Sequence, residues 1–102
     1  MLDILSYEEL AAEVGTKFLL TDTPAPVELE FIKITERRGN ARQEYFSLFF
    51  RGAPEFVLPQ KIYAMRHEKL GAGELFLVPV ERTDQGVEYE AAFNRLINDK
   101  QA

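Results

Sequence analysis

Apolar and polar residues alternate along most of the chain with the two-residue period of half-buried strands. The clearest stretch runs from Gln43 to Val80. There, three apolar runs, Glu44–Arg51, Lys61–His67 and Glu74–Val80, are separated by Gly and Pro positions that a helix would not tolerate. In the first run Phe46, Leu48 and Phe50 share a face, against Tyr45, Ser47, Phe49 and Arg51. In the second, Ile62, Ala64 and Arg66 alternate with Tyr63, Met65 and His67. In the third, Leu75, Leu77 and Pro79 oppose Phe76, Val78 and Val80, so this strand is apolar on both faces and is expected to be central or doubly covered. Pro79 predicts an end or an edge at that point.

Upstream, Ser6 followed by Glu9 forms a capping box, and Leu10, Ala11 and Val14 fall on one face with Tyr7. A short amphipathic helix is therefore predicted over Tyr7–Val14, closed by Gly15 and obliged to dock on the sheet. Thr16–Leu20 reads as a short strand, ended by a loop holding Pro24 and Pro26. Val27–Thr35 opens with Val27, Leu29 and Phe31 against Glu28 and Glu30, then shifts its apolar side to Ile32 and Ile34. That change of parity predicts a β-bulge or a segment covered on both faces. Glu36–Arg42 is a polar hairpin connection around Gly39-Asn40, and the basic cluster Arg37, Arg38 and Arg42 reads as its solvated tip.

Gly52–Glu55 breaks the strand before it, and Phe56, Val57 and Leu58 are expected to dip onto the core. Glu68–Gly73 is a Gly-rich turn with Leu70 as its buried plug. After the turn signal Asp84-Gln85-Gly86 comes the strand Val87–Phe93, with Val87, Tyr89, Ala91 and Phe93 on one face, and residues 96–102 read as a polar tail. Strand candidates at regular spacing, joined by turn signals, predict one mainly β domain over residues 1–102. The fold expected is a small antiparallel barrel or sandwich of six strands with one short N-terminal helix. The predicted core is Leu29, Phe31, Phe46, Leu48, Phe50, Ile62, Leu75, Leu77, Tyr89 and Phe93.

Composition narrows the chemistry. With 102 residues, 46% hydrophobic and 28% charged, the chain can build one core without a cofactor, metal or disulfide. The absence of Cys excludes thiolate catalysis and thiolate-held zinc or iron–sulfur centres. A net charge of −5 opposes a phosphate-tracking surface, so no nucleic-acid partner is expected. Asp3 and the acidic residues after it interrupt a secretory signal, and no apolar run approaches the roughly 20 residues that span a bilayer. A soluble, cytoplasmic protein with no membrane contact is the expectation.

No residue set assigns a reaction. His67 is the sole histidine, and a general base needs a partner that orients its ring and a nucleophile or substrate within reach. The plainer reading is a strand-end His whose ring nitrogen bonds turn backbone. Glu28 with Glu30 and Glu88 with Glu90 are paired carboxylates, but alternation places them in solvent, where burial cannot split their pKa values for acid–base work. Gly71-Ala72-Gly73 lacks the Lys and the following helix of a phosphate loop. Arg51 is expected to pair with a carboxylate of its own chain, Glu74 or Glu90, or of a partner. Aromatics exceed what one small core can cover, so Phe49, Arg51, Tyr63 and Phe76 are the candidate interface residues, with no catalytic, cofactor or metal residue assigned.

The segments FSLFFRG (46–52), LPQKIY (58–63), HEKLG (67–71), LFLVPV (75–80) and YEAAFN (89–94) resemble a family of bacterial domains of unknown function of about this chain's length. The family's runs are F-S-L-L-F-R-G, L-P-Q-G-x-Y, H-P-x-L-G, L-F-L-V-P-V and Y-E-A-x-F-N. Lys61 stands where the family often has Gly and Glu68 where it often has Pro, both turn positions. The resemblance transfers no catalytic residues. It implies a companion of phage-tail-collar-like proteins. The expectation is a non-enzymatic assembly or protein-interaction module, self-associating or bound to a protein partner, as an accessory of a phage-tail-like or fibre-like assembly. The alternative is a small-ligand or glycan-binding β-barrel with Tyr45, Tyr63 and Tyr89 near its mouth.

Overall fold

The computed structural model describes residues 5–96. They form one short helix, α1 (Tyr7–Ala11), and seven strands: β1 (Lys17–Leu20), β2 (Val27–Ile34), β3 (Arg38–Gly39), β4 (Gln43–Gly52), β5 (Lys61–His67), β6 (Gly71–Thr83) and β7 (Gly86–Leu96). Every pairing is antiparallel, in the order β2-β1-β5-β6-β7-β4-β3, and β2 also pairs with β4. That last pairing closes six strands into a barrel and leaves β3 as a short addition beside β4. Closure removes most of the exposed edge that a small open sheet would present.

The interior follows from strand parity. Phe18, Leu20, Leu29, Phe31, Phe46, Leu48, Phe50, Tyr63, Met65, Leu75, Leu77, Val87, Tyr89, Ala91 and Phe93 are buried in one cluster. Phe31 and Phe50 stack at 5.3 Å, and Phe18 meets both edge-on. The parity change in β2 is a bulge: Phe31 opposes Phe50 and Lys33 opposes Phe49, so Ile32 is the extra residue and Ile34 turns inward against the core.

The helix carries the predicted capping box, Glu9 N donating to Ser6 Oγ at 3.0 Å and Ser6 N to Glu9 Oε1 at 2.8 Å. It stops at Ala11 rather than Val14, because Gly15, with φ of 99°, turns the chain so that its N–H reaches Phe31 O at 2.7 Å. Leu10 is buried, and Tyr7 lies edge-on to Phe46 at 5.0 Å while its hydroxyl donates to Thr35 O. The loop before β5 is tied down differently: Leu58 N donates to Tyr89 Oη at 3.0 Å, and Tyr63 Oη donates to Pro59 O at 2.6 Å. Only Leu58 of the Phe56–Leu58 run dips inward, with Phe56 and Val57 exposed.

β6 is longer than its pattern predicts and runs on through Pro79. Pro79 opposes Tyr89 and Glu81 opposes Glu88, so Val80 is a second bulge, a setting that tolerates proline within a sheet. The strand serves its neighbours in two halves. Residues 71–77 pair with β5, and the β7 ladder starts only at Val78 opposite Glu90. Among the described residues no ladder joins 71–77 to 91–96.

Candidate interaction surface

The structure corrects the face assignment of β5. Tyr63 opposes Leu75 and is 2% exposed, so it belongs to the core and is not an interface residue. Ile62 opposes Phe76 and is 56% exposed, so it is outside the core. The physical reason is shared parity. Ile62 stands on the face of Arg66, which needs solvent, whereas the Tyr63 ring fills the interior and its hydroxyl finds Pro59 O. Tyr63 and Tyr89 are both buried in the core.

The exposed Ile62–Phe76 cross-strand pair is the centre of the apolar outer face. Phe76 is 47% exposed and Val80 lies further along the same strand, also exposed. β6 is therefore apolar on both faces without being covered on both. Phe49 and Arg51 lie two strands away on β4. Lys33 Nζ sits 4.6 Å over the Phe49 ring and leaves it half-buried, covered by β2 rather than by the helix. Arg51 lies 3.9 Å from Glu30, its neighbour on β2, and opposes Glu88 on β7. It pairs within its own chain, with Glu30 in place of Glu74 or Glu90. Glu90 instead accepts from Ser47 Oγ at 2.5 Å.

The acidic residues cluster on this side. Glu81 directly opposes Glu88, an unfavourable like-charge pair, and Glu90 and Glu74 stand on the same outer face of β7 and β6. Glu74 is exposed beside Phe76.

His67 is a structural knot. Its Nδ1 accepts from Lys69 N at 3.0 Å and Leu70 N at 3.1 Å, which leaves the ring proton on Nε2, 2.7 Å from Thr16 Oγ1. Thr16 Oγ1 in turn donates to Glu13 O at 2.6 Å. A base that activates a hydroxyl must accept from it at Nε2, whereas here Nε2–H donates. The arrangement pins the turn after α1 to the β5–β6 turn.

The least legible cluster surrounds Glu44, which is 8% exposed at the inward-facing end of β4. Arg37 Nε donates to Oε1 at 2.5 Å and Arg95 Nε to Oε2 at 2.6 Å, and Arg95 also donates to Leu5 O and lies over the rings of Phe46 and Phe93. Burial pushes the Glu44 carboxyl up, but the two guanidinium hydrogen bonds and their charges outweigh it and hold the group below its ordinary value. The sequence signal was available in the parity that Glu44 shares with Phe46 and Leu48.

A family model matches residues 5–93 of the chain, a span that takes in α1, the first five barrel strands and β7 as far as Phe93. The chain belongs to the family Domain of unknown function (DUF6916). The match covers the resemblance from residue 46 to residue 93, all but its last position, and extends it through the helix and the first two strands. No curated protein and no solved structure matches the chain. No helix among the described residues is long and apolar enough to cross a membrane.

Proposed function

We propose that this chain is a non-enzymatic assembly or protein-interaction module that binds another protein, or its own copies, through the outer face of β5 and β6. The observation that carries the reading is the Ile62–Phe76 pair. Two large apolar side chains oppose each other on an outer sheet face, where alternation ordinarily sets polar residues. Exposed aromatic and branched side chains ringed by charge are the usual make-up of an interface core and rim. The fibre-like or phage-tail-like context comes from the family resemblance and is part of the same proposal. Burial of Tyr63 and Tyr89 speaks against the ligand-binding alternative, because two of its three aromatics pack in the core and leave little surface for a ligand.

The test is parallel affinity capture from the host lysate with the wild-type chain and with Ile62→Glu. The fold of the variant is checked by thermal unfolding, since an exposed site should change stability by no more than about 0.5 kcal/mol. A stoichiometric partner retained by the wild type and lost by the variant is the expected result. Identical captures from both, or a wild-type chain that retains nothing and sediments as a monomer, would overturn the proposal.

A further inference from the structure

The barrel wall is divided between the first half of β6 and the second half of β7, and backbone hydrogen-bonding groups face the division from both sides. On β5, Ala64 directs its own N–H to Asp22 Oδ2 at 3.1 Å and its carbonyl to Thr21 N at 2.9 Å, both on the β1 side. Ala64 therefore makes a non-hydrogen-bonded pair with Glu74, and the alternation of an antiparallel ladder turns the N–H and C=O of Glu74 and Phe76 away from β5, towards β7. On β4, Ser47 N meets Thr35 Oγ1 at 2.8 Å and Ser47 O accepts from Thr35 N at 2.9 Å, both on the β2 side. By the same rule its partner Ala92, with Asn94, turns its backbone groups towards β6. A continuous ladder would pair Phe76 with Ala92 and Glu74 with Asn94, yet among the described residues pairing ends at Val78–Glu90. In its place is a cleft of about 310 Å³ lined by Glu74, Leu75, Phe76, Ala92, Phe93 and Asn94 among others.

We infer that this cleft receives a single extended peptide strand of a partner protein, one that alternates apolar and basic side chains. The inference rests on the interaction-module reading above and specifies its partner. Main-chain recognition follows from the two rows of backbone donors and acceptors, which an extended strand satisfies on both sides. Apolar side chains at alternate positions are called for because Leu75 and Phe93 form the inner wall and point to the core. Basic side chains at the intervening positions follow from charge complementarity. Glu74 lines the cleft, Glu90 stands where the β6–β7 ladder closes it at Val78, and Glu88 and Glu81 follow along that ladder, while Arg95, also in the lining, is engaged by Glu44.

The test has two stages, both on the intact chain. First, amide hydrogen exchange followed by NMR should show Glu74, Phe76, Ala92 and Asn94 exchanging much faster than Leu48 and Ala91 in the β4–β7 ladder. Slow exchange at these four amides would mean that the wall is closed and would overturn the inference. Second, an acetylated and amidated Lys-Val-Lys-Val-Lys-Val-Lys peptide is added. The expected result is new protection confined to these four amides. Affinity should fall about tenfold or more when two peptide nitrogens on the bonding edge are methylated, as the loss of two hydrogen bonds requires. The matching Glu-Val peptide should not bind. No protection by the Lys-Val peptide, protection mapping elsewhere, or equal binding of the methylated or acidic peptide would overturn the inference. Ile62 lies outside the cleft, so a partner lost on Ile62→Glu alongside a negative peptide result would leave the interaction module standing and remove only the strand-binding cleft.

Discussion

Glu44 joins three parts of the chain through one buried carboxylate: the β2–β3 connection through Arg37, β7 through Arg95 and, by way of Arg95, the backbone at Leu5. Such a group is costly to bury alone and is stable here because both oxygens are hydrogen-bonded to cations. Its folded-state value is depressed, so its contribution is fully present above the ordinary carboxyl value of 4.5 and is lost as pH falls through the lower folded-state value. Urea unfolding of wild type and Glu44→Gln, followed from neutral pH down through that range, should therefore give curves that converge on acidification. A constant gap between them would show that the carboxylate charge contributes nothing. At this scale the sequence was partly readable. The parity of Glu44 marked it as inward, but the cations that permit this are Arg37, brought by the turn that pairs β3 with β4, and Arg95, its cross-strand partner on β7, and the β4–β7 pairing is not encoded locally.

At the scale of elements, strand parity decides which side chains hold the fold. Leu48 is fully buried on β4 between Ile34 of β2 and Ala91 of β7, whereas Ile62 stands outward on β5. Leu48→Ala should cost about 2–5 kcal/mol and Ile62→Ala about 0.5 kcal/mol or less, measured by chemical denaturation. Comparable losses at the two sites would mean that β5 turns Ile62, and not Tyr63, towards the core. The bulge in β2 was legible because a shift of apolar parity has few other causes within one strand. The outward turn of Ile62 was less so, since hydrophobicity alone favours Ile over Tyr inside and Arg66 was the one contrary signal. The run of β6 through Pro79 was hidden for a related reason. Proline marks strand ends and bulges alike, and only the register with Tyr89 and Glu88 distinguishes them.

At the scale of the whole molecule, the core of the barrel is filled by its own side chains and the chemistry that remains lies on the outside. The antiparallel fold and the single helix were readable from alternation and turn residues. The pairing of β2 with β4 was legible as the hairpin around Gly39-Asn40, but the pairings of β1 with β5 and of β4 with β7, which complete the ring, were not, because they join distant strands by a register that no local pattern encodes. Closure leaves Ile62 and Phe76 facing outward together, and the proposed interface stands or falls with that pair. Hydroxyl-radical footprinting of the isolated chain and of the chain in its captured assembly probes both side chains at once, with Tyr45, 43% exposed on the distant β4 face, as the internal reference. Loss of labelling at Ile62 and Phe76 in the assembly, with Tyr45 labelled as in the isolated chain, is the predicted result. Unchanged labelling at Ile62 and Phe76 beside protection at Tyr45 would place the contact on the opposite wall and contradict the proposal.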